Sequence, residues 1–175
     1  LADNTVVMFT GDNGMPFPRG KGTLYEAGIR VPLIARFPGR FRPGEVSPAL
    51  VSAVDLPVTW LELAAISKTK RMQGQSLLAS VPRDAVFSER NWHNNFDPQR
   101  CAHTRRHKLI FNARPELPYR PISDLEASPT WQSYLAESKS RNGGALQPRH
   151  WPLLAPTRPL LELYDLEKDP GEFNN

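Results

Sequence analysis

The chain has 175 residues, 39% of them hydrophobic, with 18 prolines, one cysteine and a formal net charge of +4. That length suits one ordinary domain, or a part-domain with a small companion. A lone cysteine excludes an internal disulfide, and no run approaches the roughly 20 apolar residues of a membrane span.

The proline share is about twice the average, which predicts a loop-rich chain. The positive charge points to anionic partners. No nucleic-acid-binding motif of the usual types accompanies it, so nucleic acid is not expected as a partner. No signal peptide is visible.

Residues 5–10, TVVMFT, form a short apolar run rich in β-branched residues and closed by Gly11. This predicts a strand buried on both faces, as in a parallel or mixed α/β sheet. The stretch GDNGMPFPRGK, residues 11–21, follows it. In open α/β sheets ligands gather beyond the carboxyl ends of strands, where Asp12 and Asn13 lie. Asp, Asn and Gly are also common turn residues, and the three alone read as a turn.

The rest of the loop shifts that reading. Asp12 and Asn13 offer a carboxylate and an amide oxygen, the ligands that calcium or magnesium take. Arg19, Lys21 and Arg30 bring positive charge to the same segment. Gly14, Gly20 and Gly22 permit close backbone approach, and Pro16 and Pro18 stiffen the path. Oxygen ligands for a cation beside basic donors suit an oxyanion bridged to a metal. That arrangement serves phosphoryl or sulfuryl transfer.

VPLIARF, residues 31–37, predicts a second strand, and PGRFRPGE, 38–45, a turn region. Asp55 is expected to cap a helix to about Ala65, with Pro57 harmless in its first turn. Leu56, Trp60, Leu63 and Ala64 form the expected buried stripe. The polar segment 67–76 is expected to be exposed. DAVFSE, 84–89, predicts a strand leading into the polar stretch SERNWHNNFD, 88–97. There His93 reads either as a locally satisfied loop residue or as a donor to an oxyanion.

Further strands are expected at 102–111 and 160–166, with a helix near 128–139 and an irregular stretch over 140–159. The basic run RRHK, 105–108, is expected to be the solvated start of its strand. Cys101 reads as a free thiol. His103, His107 and His150 read as structural or surface residues.

TGDNGMPFPRGKGTLYEAGIRVPLIARFPG, residues 10–39, resembles the second metal and substrate segment of the type I sulfatases, formylglycine-dependent enzymes of the alkaline phosphatase superfamily. SAVDLPVTWLELAAI, 52–66, resembles the helix that follows in them, and LYDLEKDPGEFNN, 163–175, their C-terminal strand and turn. DNGMPFPRGK followed by LY, and ARPELPYRPISDLEASPTWQSYL at 113–135, look closest to the heparan N-sulfatase (sulfamidase) branch. That branch can carry arginine where this chain has Lys21.

The resemblance implies an α/β fold: the C-terminal part of an alkaline-phosphatase-like mixed sheet with flanking helices, plus a small antiparallel-sheet subdomain. It implies a catalytic-domain portion over 1–99, with the metal and sulfate loop at 11–30, and the subdomain over 100–175. Asp12 and Asn13 would be ligands of Ca2+, ahead of Mg2+. Lys21 would contact the sulfate and stabilise the leaving group, with Arg19 and His93 as further substrate-binding residues. The implied substrate is a sulfated carbohydrate, such as N-sulfoglucosamine or an O-sulfated sugar of a glycosaminoglycan. The rest of a parent chain is an implied partner, oligomerisation stays open, and a periplasmic, extracellular or lysosomal-type compartment is implied.

The family's nucleophile is a formylglycine made within a C/S-x-P/A-x-R motif. Cys101 is followed two places later by His103 and does not fit. The nucleophile and the family's Asp-Asp metal pair are therefore expected upstream, in an N-terminal part that this chain lacks. The isolated chain is expected to be inactive. A phosphatase or phosphodiesterase of the same superfamily, or a non-catalytic glycan-binding homologue, are the alternatives.

Overall fold

The computed structural model describes residues 1–79, 81–139 and 152–175. Strand β1 (Val7–Thr10) pairs antiparallel with β2 (Leu33–Arg36), with Val7 opposite Arg36 and Thr10 opposite Leu33. The loop between them carries the short helix α1 (Glu26–Ile29). Burial of β1 on both faces is not observed, since Phe9 is 61% and Ile34 64% exposed. A two-stranded ribbon has no neighbour within these residues to cover its faces.

Helix α2 (Asp55–Leu63) forms where expected, but Val54 occupies its cap position. Asp55 lies inside the first turn and is buried. Its carboxylate accepts from the backbone N–H of Ser52 and of Gln75, both at 2.8 Å, and from Arg83 Nη2 at 2.6 Å. Thr59, one turn on, donates to Asp55 O and accepts from Leu77 N–H. These polar ties fasten the following loop onto the Asp55, Val58 and Thr59 face. Trp60 and Ala64, expected in the buried stripe, are therefore exposed. Residues 67–71 are exposed as expected, whereas Gly74 is buried against α2.

The second sheet is antiparallel, in the order β3 (Val86–Trp92), β4 (Phe96–His103), β5 (His107–Asn112), β6 (Leu161–Asp165). The expected 102–111 strand is thus the end of β4, a turn and β5. The division expected between residues 99 and 100 falls inside β4, which is joined to β3 as a hairpin. The sheet begins at Val86.

Helices α3 (Ser123–Glu126) and α4 (Pro129–Ser138) lie between β5 and β6. Ser128 caps α4 by accepting from Trp131 N–H, and Pro129 opens it, where its missing N–H costs nothing. Trp131 packs with Tyr119 and Leu153 in a small apolar cluster. His150 and the stretch 140–151 lie outside the described residues. Among those described, no helix is long and apolar enough to cross a membrane.

β5 alternates strictly, and in an unusual sense. Lys108, Ile110 and Asn112 face inward, while Leu109 and Phe111 face out. Lys108, expected to be solvated, is fully buried. Its Nζ lies 2.6 Å from Glu26 Oε1 and 2.8 Å from Glu172 Oε1, and donates to Leu24 O at 3.2 Å. A buried ammonium requires such partners. The two acids come from α1 and the C-terminal turn, so the 19–30 loop is pinned to the inner face of the sheet. Leu24, Cys101, Ile110 and Tyr164 form the apolar core beneath it, and burial pushes the Cys101 thiol up to about 11.

Replacing Lys108 with Met leaves Glu26 and Glu172 together without their cation. Stability should fall by about 3–5 kcal/mol, read as a lower denaturant midpoint. Exposed Lys70→Ala should stay within about 0.5 kcal/mol. Equal midpoints for the two variants would show that Lys108 does not hold the loop.

Candidate active-site loop

The loop leaves β1 at Gly11, whose N–H bonds Pro32 O at 3.3 Å. It folds back on itself: Lys21 N–H donates to Met15 O at 2.8 Å, Gly20 N–H to Phe17 O at 2.8 Å and Met15 N–H to Ala27 O at 3.1 Å. Gly14 is buried under α1, and a Cβ there would sit 2.2 Å from Ala27 O. Thr23 locks the far side, its hydroxyl 2.9 Å from Arg19 O and 2.8 Å from Gly20 O.

Asp12 and Asn13 stand at the exposed start of this fold. Among the described residues, neither side chain has a hydrogen-bond or ion-pair partner. They are two adjacent, uncommitted oxygen donors of the kind a hard cation takes. No group of three His, Cys, Asp or Glu side chains that could hold a metal occurs among the described residues. The pair therefore fits part of a calcium shell, not a whole one.

Arg19 is engaged elsewhere. It holds a left-handed backbone, φ 65°, and its guanidinium lies 4.0 Å from the ring centre of Tyr25 and 5.0 Å from that of Phe173. Its Nη2 donates to Glu172 O at 2.5 Å. Stacking and hydrogen bonding together fasten the loop to the C-terminal turn.

Lys21 is partly exposed, and its Nζ donates to Asp124 Oδ2 at 2.5 Å. Asp124 lies on α3, 103 positions along the chain. The hydrogen bond from Lys21 holds the Asp124 carboxyl below its usual range, and nearby His93 adds to the effect. His93 is exposed at the tip of the β3–β4 hairpin, its Nδ1 2.7 Å from Asn94 Oδ1. The same Asn94 oxygen accepts from Ser123 N–H at 2.9 Å, tying the hairpin tip to α3. The structure thus brings Lys21 and the hairpin tip that carries His93 to the same short helix, through Asp124 and Ser123.

Asp124 and Asn94 were not anticipated from sequence. Asn94 lies in the 88–97 stretch noted for His93 and Asp124 in the 113–135 stretch noted only for its resemblance, and the contacts across the fold mark these two residues. Arg90 joins the same seam, donating to Gly22 O at 2.7 Å and facing Asp97 at 3.5 Å.

Residues 19–130 match the family described as N-sulphoglucosamine sulphohydrolase, C-terminal. The chain belongs to this family. A human relative, N-sulphoglucosamine sulphohydrolase, is 33% identical over 193 residues, covering all of this chain and 38% of the relative. An ulvan-active sulfatase of Formosa agariphila is 33% identical over 180 residues, covering all of this chain and 30% of that protein. The chain thus spans about a third of the length of these relatives.

Among solved structures, a protein in complex with its substrate D-glucosamine-2-N,6-O-disulfate is 23% identical, with a TM-score of 0.65 over 99% of this chain and 30% of that one. A 2-O GAG sulfatase is 21% identical, with a TM-score of 0.62 over 99% of this chain and 32% of that one. These likenesses establish the fold: α/β with antiparallel sheets.

Gly14→Ala should destabilise the protein by about 1–3 kcal/mol, because the new Cβ overlaps backbone with nowhere to go. Thermal unfolding checks this. An unchanged melting temperature would mean that α1 moves away from the loop without cost.

Proposed function

We propose that this chain is part of a sulfatase that hydrolyses sulfate esters or sulfamates on sulfated sugars. Family membership supports the reading. One observation carries it: a single tight loop offers an uncommitted Asp12–Asn13 oxygen pair near one end and the Lys21 ammonium at the other. A metal and a cation supplied by the same segment suit one sulfate group.

In this reading Asp12 and Asn13 are two of the ligands of a calcium ion. When bound, the metal would withdraw charge from the sulfate oxygens. A formylglycine from the remainder of the enzyme would supply the nucleophile. Lys21 donates to a sulfate oxygen or to the leaving oxygen or nitrogen, offsetting the negative charge that grows there as the bond to sulfur breaks. His93, with one ring nitrogen against Asn94, keeps the other for a sugar or sulfate group.

Arg19 is the least favoured of the expected substrate contacts, since its guanidinium already serves Tyr25, Phe173 and Glu172. We also place the boundary between the catalytic portion and the small subdomain before β3, near residue 85.

In the full-length enzyme, Lys21→Ala should lower kcat/KM about 100-fold or more. Asp12→Ala should weaken calcium binding, measured by titration. Full turnover by the Lys21 variant would refute its contact with sulfate.

A further inference from the structure

We infer that Asp124 is a substrate-binding residue that recognises a hydrogen-bond donor next to the sulfate, so that Lys21 and Asp124 read the sulfated carbon's neighbourhood as a pair. This rests on the reading of Lys21 as a sulfate contact.

Two other segments reach the start of α3: the loop, through Lys21 on Asp124, and the hairpin tip, through Asn94 on Ser123 N–H. Asn94 accepts from Ser123 N–H, so the residue beside Asp124 is held by a second element. The carboxylate is about half exposed, at 49%, against 28% for Lys21. Ion pairs so open to water contribute little to stability. Lys21 uses one of its three N–H groups on Asp124 and keeps others for an oxyanion. Only Oδ2 of Asp124 is bonded to Lys21, and among the described residues no other side chain bonds the second oxygen.

A carboxylate beside an anion-binding lysine repels a bare sulfate. It becomes an asset when the ligand also brings a hydroxyl or N–H within reach. Sulfated sugars carry such donors on the carbons flanking the sulfated position. Lys21 then meets the charge, and Asp124 meets the donor that a bare sulfate lacks.

The test uses the full-length, metal-loaded enzyme with two probes, a sulfated monosaccharide substrate and inorganic sulfate as inhibitor. Asp124→Ala should raise KM for the sugar about tenfold, the loss of one charge-assisted hydrogen bond. The inhibition constant of sulfate should stay the same or fall. Asp124→Asn, which keeps an acceptor oxygen, should lie between wild type and Asp124→Ala for the sugar. If KM and the sulfate inhibition constant rise together, Asp124 only positions Lys21 and the inference is wrong. It is equally wrong if neither constant changes. Lys21→Ala separates this from the parent reading: unaltered turnover and sulfate inhibition in that variant would sink the Lys21 contact itself.

Discussion

The buried ammonium of Lys108 is the interaction on which the arrangement of the chain depends. It lies between Glu26 of α1 and Glu172 of the C-terminal turn, with Leu24 O as a third acceptor. A cation in such a place is costly without partners, and acids there are costly without a cation. Burial pushes the Glu172 carboxyl above its usual range even with Lys108 beside it. Glu172 Oε2 also accepts from Glu26 N–H at 2.6 Å, which fixes the start of α1. Loop, sheet and terminus therefore keep one another in place, and none can leave without stranding a buried charge.

The surrounding inner face extends the same logic. Gln99 donates to Asn112 at 2.5 Å, Asn112 to Glu162 at 2.7 Å, and the Tyr25 and Tyr164 hydroxyls both donate to Glu162. Arg158 clamps Asp97 through two nitrogens, at 2.6 and 3.1 Å. An apolar seam could slide or repack at small cost, whereas a connected polar network is satisfied in one register only. That selectivity matters here because the loop resting on the sheet carries Lys21, whose partner Asp124 comes from the far side of the chain.

Local patterns made the site loop legible. Asp12, Asn13, Lys21 and the glycines lie within one short stretch, and their chemistry can be read without knowing the fold. The runs near 128–139 and 160–166 likewise announced α4 and β6. The reading failed where tertiary context overrides composition. RRHK looked like surface, yet β5 turns Lys108 inward because two acids from distant segments await it. Trp60 looked like core, yet Asp55 and Thr59 rotate α2 to satisfy backbone N–H groups of the next loop. Asp124 had no local signal at all, because its meaning comes from a lysine 103 positions away.

This division of labour has a physical consequence for the site. In the proposed reading, charge recognition is local to the loop, where Asp12, Asn13 and Lys21 share one backbone held by Gly14 and Thr23. In the same reading, recognition of what surrounds the sulfate falls to α3 and the hairpin tip, and α3 meets the loop directly where Asp124 accepts from Lys21. The two functions, so read, can vary separately: changes on α3 or at His93 alter the polar groups near Lys21, at most breaking its bond to Asp124, without touching the hydrogen bonds within the loop. The Lys108 network prevents that variation from displacing the loop, since it fixes the loop to the inner face while hairpin tip and α3 meet it from beside. A sheet whose inner face carries a connected polar network thus serves, in the proposed reading, as a platform on which substrate contacts can change while the loop that meets the sulfate does not.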